Sequence, residues 1–301
     1  MKFSKTTLAL MVLLISGCSS APDKREQQLQ DRLDVQILAN GTKLAHYRLR
    51  VQPVRKHQVQ IYDWESNRGG FGGGNRGGGF GGGSKPTEEY RFVLISLDRN
   101  TGKENWRRVA ATQVPHEGHH RDHGYASGSP VTDGEHIIVS FGSRGLYCYD
   151  MKGKLQWKKD FGDMRTRNSF GEGSSPALHG DTVLLLWDHE GDSALYALDK
   201  KTGKLKWKAD RNEASGWCTP VVTTHDGVTQ VIVNGTRAVR SYQLSDGKLL
   251  WQCGGMTSNP IPSPVTRGET AYLMTGYRGY SLYAIPLGAR GDLTGTDKVA
   301  W

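Results

Sequence analysis

Internal repetition constrains the fold of this chain more than any other feature of its sequence. Five tryptophans end similar segments, and consecutive members of this set lie 51, 50, 44 and 50 residues apart. A repeat of about 40–50 residues is typical of chains built from small structural units that stack on one another. The repeated positions are Asp98, Gly102, Trp106, Asp150, Gly153, Trp157, Asp199, Gly203, Trp207, Gly247, Trp251 and Trp301.

Each repeat predicts four short strands. A Pro-Val or Pro-Ala pair opens most copies, and proline suits the start of a strand because it cannot donate to a central ladder. Apolar runs such as 183–187 and 195–198 predict the second and third strands. The Asp-x-x-Thr-Gly-Lys turn then reverses the chain, since Asp accepts backbone N–H bonds and Gly adopts positive φ. We expect the fourth strand to end at the tryptophan, whose ring would fill the gap to a neighbouring sheet.

Four-stranded units at this period are typical of an all-β propeller. The Asp-x-x-Thr-Gly-Lys-x-x-Trp signature, with its upstream Ser-Pro-Val, resembles the pyrroloquinoline-quinone-like (PQQ-like) repeats of quinoprotein dehydrogenases and of BamB-like outer-membrane assembly lipoproteins. The resemblance covers residues 90–301. It implies a β-propeller with about five four-stranded blades visible over residues 87–301, out of the seven or eight of a closed ring. We therefore expect a propeller truncated at its C-terminus.

Residues 1–17 predict an export signal. A basic start is followed by an apolar run at 8–15, which is too short to span a bilayer as an ordinary helix. The following Ile-Ser-Gly-Cys resembles a bacterial lipobox, which implies acylation of Cys18 and a membrane anchor; a plain secretory signal is the alternative. Ser19 in place of Asp predicts sorting to the outer membrane, facing the periplasm.

Two segments before the repeats carry no blade signature. Residues 18–68 are unassigned and predict one or two strands. Residues 69–86 are rich in glycine and predict a disordered insert or linker, because they offer little apolar surface to bury. Binding of RNA through Arg and Phe is the alternative. The tract holds few of either, and the net charge of +9 is spread through the turns, so we expect no nucleic-acid partner.

A histidine-rich loop is the strongest candidate for chemistry. Residues 116–120 formally match the His-Glu-x-x-His zinc-protease pattern, but neighbouring Pro and Gly exclude the helix that this pattern needs. A looser divalent-metal site remains as the hypothesis, with a polar rim that braces the blades as the alternative. Loops 165–172 and 188–192 carry further polar residues, and the face that the second one occupies is left open. The candidate ligands are His116, His119, His120, Asp122 and His123.

The cysteines and the family resemblance limit the other options. PQQ binding is not expected, since the quinoproteins that these repeats resemble carry an adjacent cysteine pair and this chain has none. Cys218 and Cys253 flank one repeat, and export would permit a disulfide between them. We expect a lipid-anchored, non-catalytic scaffold that binds an envelope protein. A metal- or quinone-dependent oxidoreductase with a site in the propeller channel is the alternative.

Overall fold

The described part of the chain is built from β-strands. The computed structural model describes the backbone of residues 34–37, 45–48 and 57–64, and residues 82–299 apart from 100, 121, 122, 275, 276, 278 and 280. Two three-residue 3₁₀ turns interrupt the strands, at Gly142–Arg144 and Arg167–Ser169. The strands are β1 (Asp34–Ile37), β2 (Ala45–Arg48), β3 (His57–Trp64), β4 (Tyr90–Asp98), β5 (Glu104–Gln113), β6 (Val131–Thr132), β7 (His136–Ser140), β8 (Leu146–Asp150), β9 (Leu155–Lys159), β10 (Ala177–His179), β11 (Thr182–Trp187), β12 (Ser193–Asp199), β13 (Leu205–Arg211), β14 (Val221–His225), β15 (Val228–Val233), β16 (Ala238–Gln243), β17 (Leu249–Gly254), β18 (Val265–Arg267), β19 (Thr270–Met274), β20 (Leu282–Pro286) and β21 (Gly291–Asp292).

The strands form successive small sheets, which we call blades. Blade 1 is β3–β5, blade 2 is β6–β9, blade 3 is β10–β13, blade 4 is β14–β17 with β21 added, and blade 5 is β18–β20. Within each blade, consecutive strands pair in antiparallel order. The four-stranded unit predicted from the repeat is confirmed in blades 2, 3 and 4. β1 and β2 pair with each other as a separate two-stranded sheet.

The hydrophobic core lies between the blades. Successive side chains of a strand point to opposite faces, so a strand inside a stack of sheets is apolar at every position. In β11, Val183 and Leu185 pack towards blade 2, whereas Leu184 and Leu186 pack towards blade 4. All six residues of this strand are buried. Similar clusters join blade 1 to blade 2 and blade 4 to blade 5.

The repeated tryptophans do not end their strands, contrary to the sequence prediction. Each of Trp106, Trp157, Trp207 and Trp251 is the third residue of the last consecutive strand of its blade, and that strand continues for two to seven residues beyond the tryptophan. The strand continues because it pairs along the whole neighbouring strand. A β-bulge precedes the tryptophan in each of blades 1 to 4. In blade 3, Trp207 pairs with Ala197 and Leu205 pairs with Leu198, so Lys206 between them has no opposite residue on β12. Bulges of this kind redirect the side chains around them.

The tryptophans fill the gaps between blades, as predicted. The indole Nε1 of Trp157 donates to the carbonyl of Lys200 at 2.7 Å, in the Asp-x-x-Thr-Gly-Lys turn of the next blade. Its ring lies against Gly203, whose φ is 66° and whose position leaves 2.7 Å between an added Cβ and the ring. The same contact joins Trp106 to Gly153 and Trp207 to Gly247. Trp301 lies outside the described residues.

Blade 1 extends beyond the boundary at residue 87 that the sequence indicated. β3, from the segment 18–68, pairs with β4 over eight residues and becomes part of this blade. The glycine-rich segment therefore lies within the β3–β4 connection. No helix among the described residues is long and apolar enough to cross a membrane. Residues 1–17, Cys18 and Ser19 lie outside the described part of the chain, so the export signal and the lipobox stay predictions.

The chain does not complete blade 5 with an adjacent fourth strand within the described residues. After β20 it returns to blade 4, where β21 pairs in parallel with β17. Leu287 and Leu293 on either side of β21 are buried in the cluster between blades 4 and 5.

The disulfide between Cys218 and Cys253 that export would permit is not formed. Cys148, Cys218 and Cys253 are free and buried. Cys218 lies in the cluster between blades 3 and 4, and Cys253 lies in the cluster between blades 4 and 5. Burial raises the pKa of the Cys218 thiol to about 12, so this residue behaves as a small apolar side chain.

Candidate functional site

The up-and-down strand order sorts the connections onto two faces. The turn face holds the tight turns between first and second strands and between third and fourth strands, such as 133–135 and 200–204. The loop face holds the connections between blades (114–130, 160–176 and 212–220) and the loop at 188–192. Backbone hydrogen bonds from Glu190 to Arg165 and from Gly216 to Asp188 join these loops. The position of 188–192, which the sequence left open, is therefore the loop face.

One polar cluster joins the first two inter-blade loops. Ligand-type atoms of His116, Glu117 and Glu172 all lie within 4.8 Å of one another. The distance from His116 Nε2 to Glu172 Oε1 is 3.8 Å. Among the residues that the structure describes, this is the one group of three or more His, Cys, Asp and Glu side chains with such spacing.

Hydrogen bonds hold both carboxylates of this cluster in place. The backbone N–H of Thr166 donates to Glu117 at 3.1 Å, and the Thr166 hydroxyl donates to the same oxygen. The backbone N–H of Ser143 donates to Glu172 at 2.6 Å, and the Ser143 hydroxyl donates to its other oxygen. Burial nonetheless raises the pKa of Glu172 to about 7. The cluster is thus an ordered site. At Glu172, hydrogen bonds favour the ionised carboxylate while burial disfavours it.

The other predicted ligands point elsewhere. His119 Nδ1 contacts the carbonyl of His120 at 2.7 Å, and its ring packs edge-on against Tyr125. The ring of His120 packs against Phe170. His123 Nδ1 lies 2.8 Å from the carbonyl of its neighbour Gly124 and 3.1 Å from the Ser127 hydroxyl. Asp122 lies outside the described residues. Of the predicted set, only His116 lies in the cluster, and its partners are two glutamates that the sequence did not select.

The end of the glycine-rich segment lies across the same two loops. Gly82 N–H donates to the carbonyl of Asn168, and Gly83 N–H donates to the carbonyl of His119, both at 2.7 Å. A Cβ on Gly82 would lie 1.7 Å from the carbonyl oxygen of Ser169, so only glycine fits there. These two residues are held in place, whereas the sequence predicted a disordered linker up to residue 86.

A buried ion pair lies on the loop face between blades 3 and 4. Arg211 donates from Nε and Nη2 to the two carboxylate oxygens of Asp188, at 2.8 and 3.0 Å, and from Nη1 to the hydroxyl of Tyr242 at 2.9 Å. Both charged side chains have no solvent exposure. Burial opposes ionisation, but the carboxylate of Asp188 holds the pKa of Arg211 above its usual value. Asp188 belongs to the polar loop 188–192 that is visible in the sequence, whereas Arg211 lies in a strand and carries no motif.

A narrow cavity lies between these two polar clusters. Its volume is about 20 Å³, which is room for one or two water molecules. Its lining includes Tyr125, Phe141, Glu172, Trp187, Asp188 and Trp217. Trp217 is fixed by a hydrogen bond from its Nε1 to the carbonyl of Gly171 at 2.7 Å. The two indoles that could have stacked on a flat cofactor are thus part of the packing. The expectation that PQQ does not bind stays a prediction.

A ladder of hydroxyl groups links the first strands of the blades. A Ser or Thr stands just before the proline that opens each of these repeats, and its backbone N–H donates to the hydroxyl of the equivalent residue in the next blade. The donor and acceptor pairs are Ser129 to Ser175 at 2.9 Å, Ser175 to Thr219 at 3.3 Å, and Thr219 to Ser263 at 2.8 Å. The Ser/Thr-Pro pattern was visible in the sequence, but its hydroxyl had no assigned role. The ladder explains why that position requires Ser or Thr.

Repeating four-stranded sheets with cores between them, locked by a tryptophan and a hydroxyl ladder, define a β-propeller repeat protein. The profile of the family described as outer membrane protein assembly factor BamB matches residues 91–289. The chain belongs to this family, as the PQQ-like repeats predicted. No curated protein matches the chain.

Solved structures share the fold at low sequence identity. BamB from Moraxella catarrhalis is 18% identical, with a TM-score of 0.51, and the match covers 71% of this chain and 60% of that one. The chain therefore spans about 60% of the length of that BamB. Quinohemoprotein alcohol dehydrogenase from Comamonas testosteroni is 10% identical, with a TM-score of 0.43, over 69% of this chain and 42% of that one. The corresponding enzyme from Pseudomonas putida is 12% identical, with a TM-score of 0.42, over 66% and 39%.

Proposed function

We propose that this protein is a lipid-anchored propeller scaffold that binds a partner protein on the periplasmic side of the cell envelope. The name of its family, outer membrane protein assembly factor, supports an envelope role. The lipobox at Cys18 supports an anchor in the outer membrane. The binding mode is argued from the outer edges of the blades.

The pairing of β21 with β17 carries the proposal. The outer edge of blade 4 accepts a short segment that arrives from elsewhere in the chain, with Trp251 opposite Gly291 and Gln252 opposite Asp292. Leu293 N–H donates to the carbonyl of Gln252 at 2.9 Å. A blade of this protein thus accommodates an added edge strand, which is the geometry of β-augmentation by a partner.

The edge of blade 3 offers the same geometry. β13 is the outermost strand of its sheet among the described residues, and it is seven residues long. Leu205 at its start is 55% exposed. Lys206 and Lys208 follow along the same strand, and Lys208 pairs with Asp210. The two lysines disfavour pairing with a second copy and favour a segment that carries acidic residues. The partner we propose is an extended segment with acidic residues, added to β13.

A site-specific photo-crosslinker tests this proposal in the full-length protein within intact cells. We expect a crosslinker at Leu205 to form a covalent adduct whose partner peptide, identified by mass spectrometry, is an extended acidic segment. The matched control carries the crosslinker at Lys103, an exposed residue in the β4–β5 turn of blade 1. Equal adducts from both positions, or no adduct from Leu205, would reject the edge of blade 3 as the interface.

The lipid anchor has its own test. Intact-mass analysis of the mature protein should show acyl chains on Cys18, and Cys18→Ala should release the protein from the membrane fraction. If the unsubstituted protein has no acyl mass and fractionates with the soluble periplasm, the anchor is refuted while the edge interaction remains open to its own measurement.

A further inference from the structure

We propose that His116, Glu117 and Glu172 form a binding site for one divalent transition-metal cation. The site lies where the two loops that flank blade 2 meet. His116 and Glu117 belong to the loop between blades 1 and 2, and Glu172 belongs to the loop between blades 2 and 3. A small cavity borders these three side chains, together with Ser143 and Arg144. The ion would link the two loops.

The spacing of the ligand atoms suits a single ion. Two ligands at about 2.0–2.2 Å from one metal lie about 3–3.5 Å apart. His116 Nε2 and Glu172 Oε1 are 3.8 Å apart, and the farthest pair in the cluster is within 4.8 Å. Side-chain rotations that move the carboxylate oxygens by up to about 1 Å close this difference. The carbonyl oxygen of Met164 contacts His116 Nε2 along the direction that the metal would use, so this contact must open when the ion binds.

The charges also balance. Glu117 and Glu172 carry two negative charges when ionised, and a divalent cation neutralises both. The neighbouring Arg144 does not fill this role, because it forms an ion pair with Asp163. A buried carboxylate without a cation costs free energy, and a bound ion removes that cost at Glu172.

The surrounding hydrogen bonds prepare the ligands. Thr166 and Ser143 each donate to one glutamate and so fix the direction of its carboxylate. Asp163 Oδ1 lies 3.7 Å from His116 Nδ1. Arg144 Nη2 lies 3.3 Å from the same Nδ1. When Nε2 binds a metal, the ring proton resides on Nδ1, so this arginine must turn away and Asp163 must approach to accept the hydrogen bond, as in other carboxylate–histidine–metal arrangements. One imidazole with oxygen ligands selects a transition metal such as Zn²⁺ or Mn²⁺ over Ca²⁺.

Calorimetric titration of Zn²⁺ into the full-length protein, purified in detergent without a histidine tag and stripped with chelator, tests the site. We expect one Zn²⁺ per chain, and binding at least tenfold weaker in His116→Ala and in Glu172→Gln. His119→Ala and His120→Ala are the matched controls, because they remove histidines of the same loop that lie outside the cluster, and they should keep the affinity. Ca²⁺ should bind more weakly than Zn²⁺.

Three results would overturn the proposal: no Zn²⁺ binding below about 1 mM, unchanged binding in His116→Ala, or equal loss in the two controls. Glu172→Gln could also fail to fold, so a measurement on the unsubstituted protein is needed. Anomalous diffraction at the zinc edge should place one peak about 2–2.2 Å from both His116 Nε2 and a Glu172 oxygen. A peak anywhere else, or none, would reject the site.

Discussion

On the turn face, three consecutive blade junctions share one tryptophan contact, whereas on the loop face the hydroxyl ladder repeats but the charged clusters differ from junction to junction. Trp106, Trp157 and Trp207 each donate to a turn carbonyl of the next blade and lie on a turn glycine. On the loop face, a His-Glu-Glu cluster bridges the loops around blade 2, and an Asp–Arg–Tyr network joins blade 3 to blade 4.

The difference shows how the two faces divide their roles. The turn-face contact needs a tryptophan, a glycine and a tight turn at fixed spacing, so it reappears wherever the repeat reappears. Apart from the repeated Ser/Thr-Pro ladder, the loop face is built from connections whose residues differ from junction to junction. Local turn and strand propensities thus determine how neighbouring blades pack on the turn face, whereas tertiary contacts determine which side chains meet on the loop face.

The buried ion pair of the loop face should give the largest loss of stability. Asp188→Ala leaves Arg211 buried without its carboxylate, which costs about 3–5 kcal/mol of the free energy of unfolding in urea denaturation. In the double variant Asp188→Leu/Arg211→Met both charges are removed, so it should lose less stability than the single variant. A double variant as unstable as the sum of the two single variants would show that the pair acts through something other than charge burial.

A glycine pair isolates the turn-face contact. Gly203→Ala and Gly102→Ala place a Cβ at nearly the same φ, 66° and 68°, in the equivalent turns of blades 3 and 1. At Gly203 the Cβ would meet Trp157 at 2.7 Å, whereas at Gly102 nothing lies within 4 Å. We expect denaturation to show a loss of about 2–4 kcal/mol at Gly203 and about 1 kcal/mol at Gly102. Equal losses would mean that the tryptophan contact adds nothing to backbone strain.

An ion pair on the turn face should make that face sensitive to acid. Burial acts against it, but Lys200 and the backbone N–H groups of Glu135 and His136 hold the pKa of Asp133 well below its usual value. A carboxyl with a lowered folded-state pKa stabilises the fold above its unfolded value near 4, and this contribution is lost as the pH falls. Asp133→Asn should therefore cost about 1–2 kcal/mol at pH 7.

The pH dependence distinguishes this effect from a change in packing. The difference in unfolding free energy between the Asp133→Asn variant and the parent should shrink as the pH falls below about 4, because the carboxyl of the unfolded parent then takes up a proton while that of the folded parent stays ionised until still lower pH. A difference that stays constant from pH 7 to pH 3 would assign the loss to the altered hydrogen bonds alone.

The hydroxyl ladder should give the smallest effect. Ser175→Ala removes the acceptor of the Ser129 N–H and should cost about 1 kcal/mol, read from thermal or urea unfolding. Ser175→Thr keeps an acceptor and serves as the matched control. If the two variants are equally unstable, the loss comes from crowding at the first strand rather than from the hydrogen bond.

The repeat made most of the architecture predictable. Asp199, Gly203 and Trp207 identify a turn and a docking ring by chemistry that holds in any chain, and the structure confirms their roles. The predicted end of the fourth strand was wrong because the neighbouring strand with which it pairs determines where it stops. β3 was missed as a blade strand because a glycine-rich insertion separates it from β4, although a Pro-Val pair stands just before it at 53–54.

The site was predictable only in part, for a physical reason. The dense run of histidines in 116–123 pointed to the right loop, but side-chain direction in an irregular loop depends on what lies opposite. His116 faces Glu172, which is 56 residues away in the chain, whereas His119 faces Tyr125. Glu117 was read only as part of a zinc-protease pattern, and its partner Thr166 has no signature.

The return of the chain at β21 has a mechanical consequence. Residues 255–290, which include blade 5, form an excursion whose two ends are both fastened to β17. Tension that arrives from beyond residue 293 is carried by β21 and the buried Leu293 into blade 4, and it bypasses blade 5. Blade 5 therefore lies outside the path of a load that is applied to the following chain.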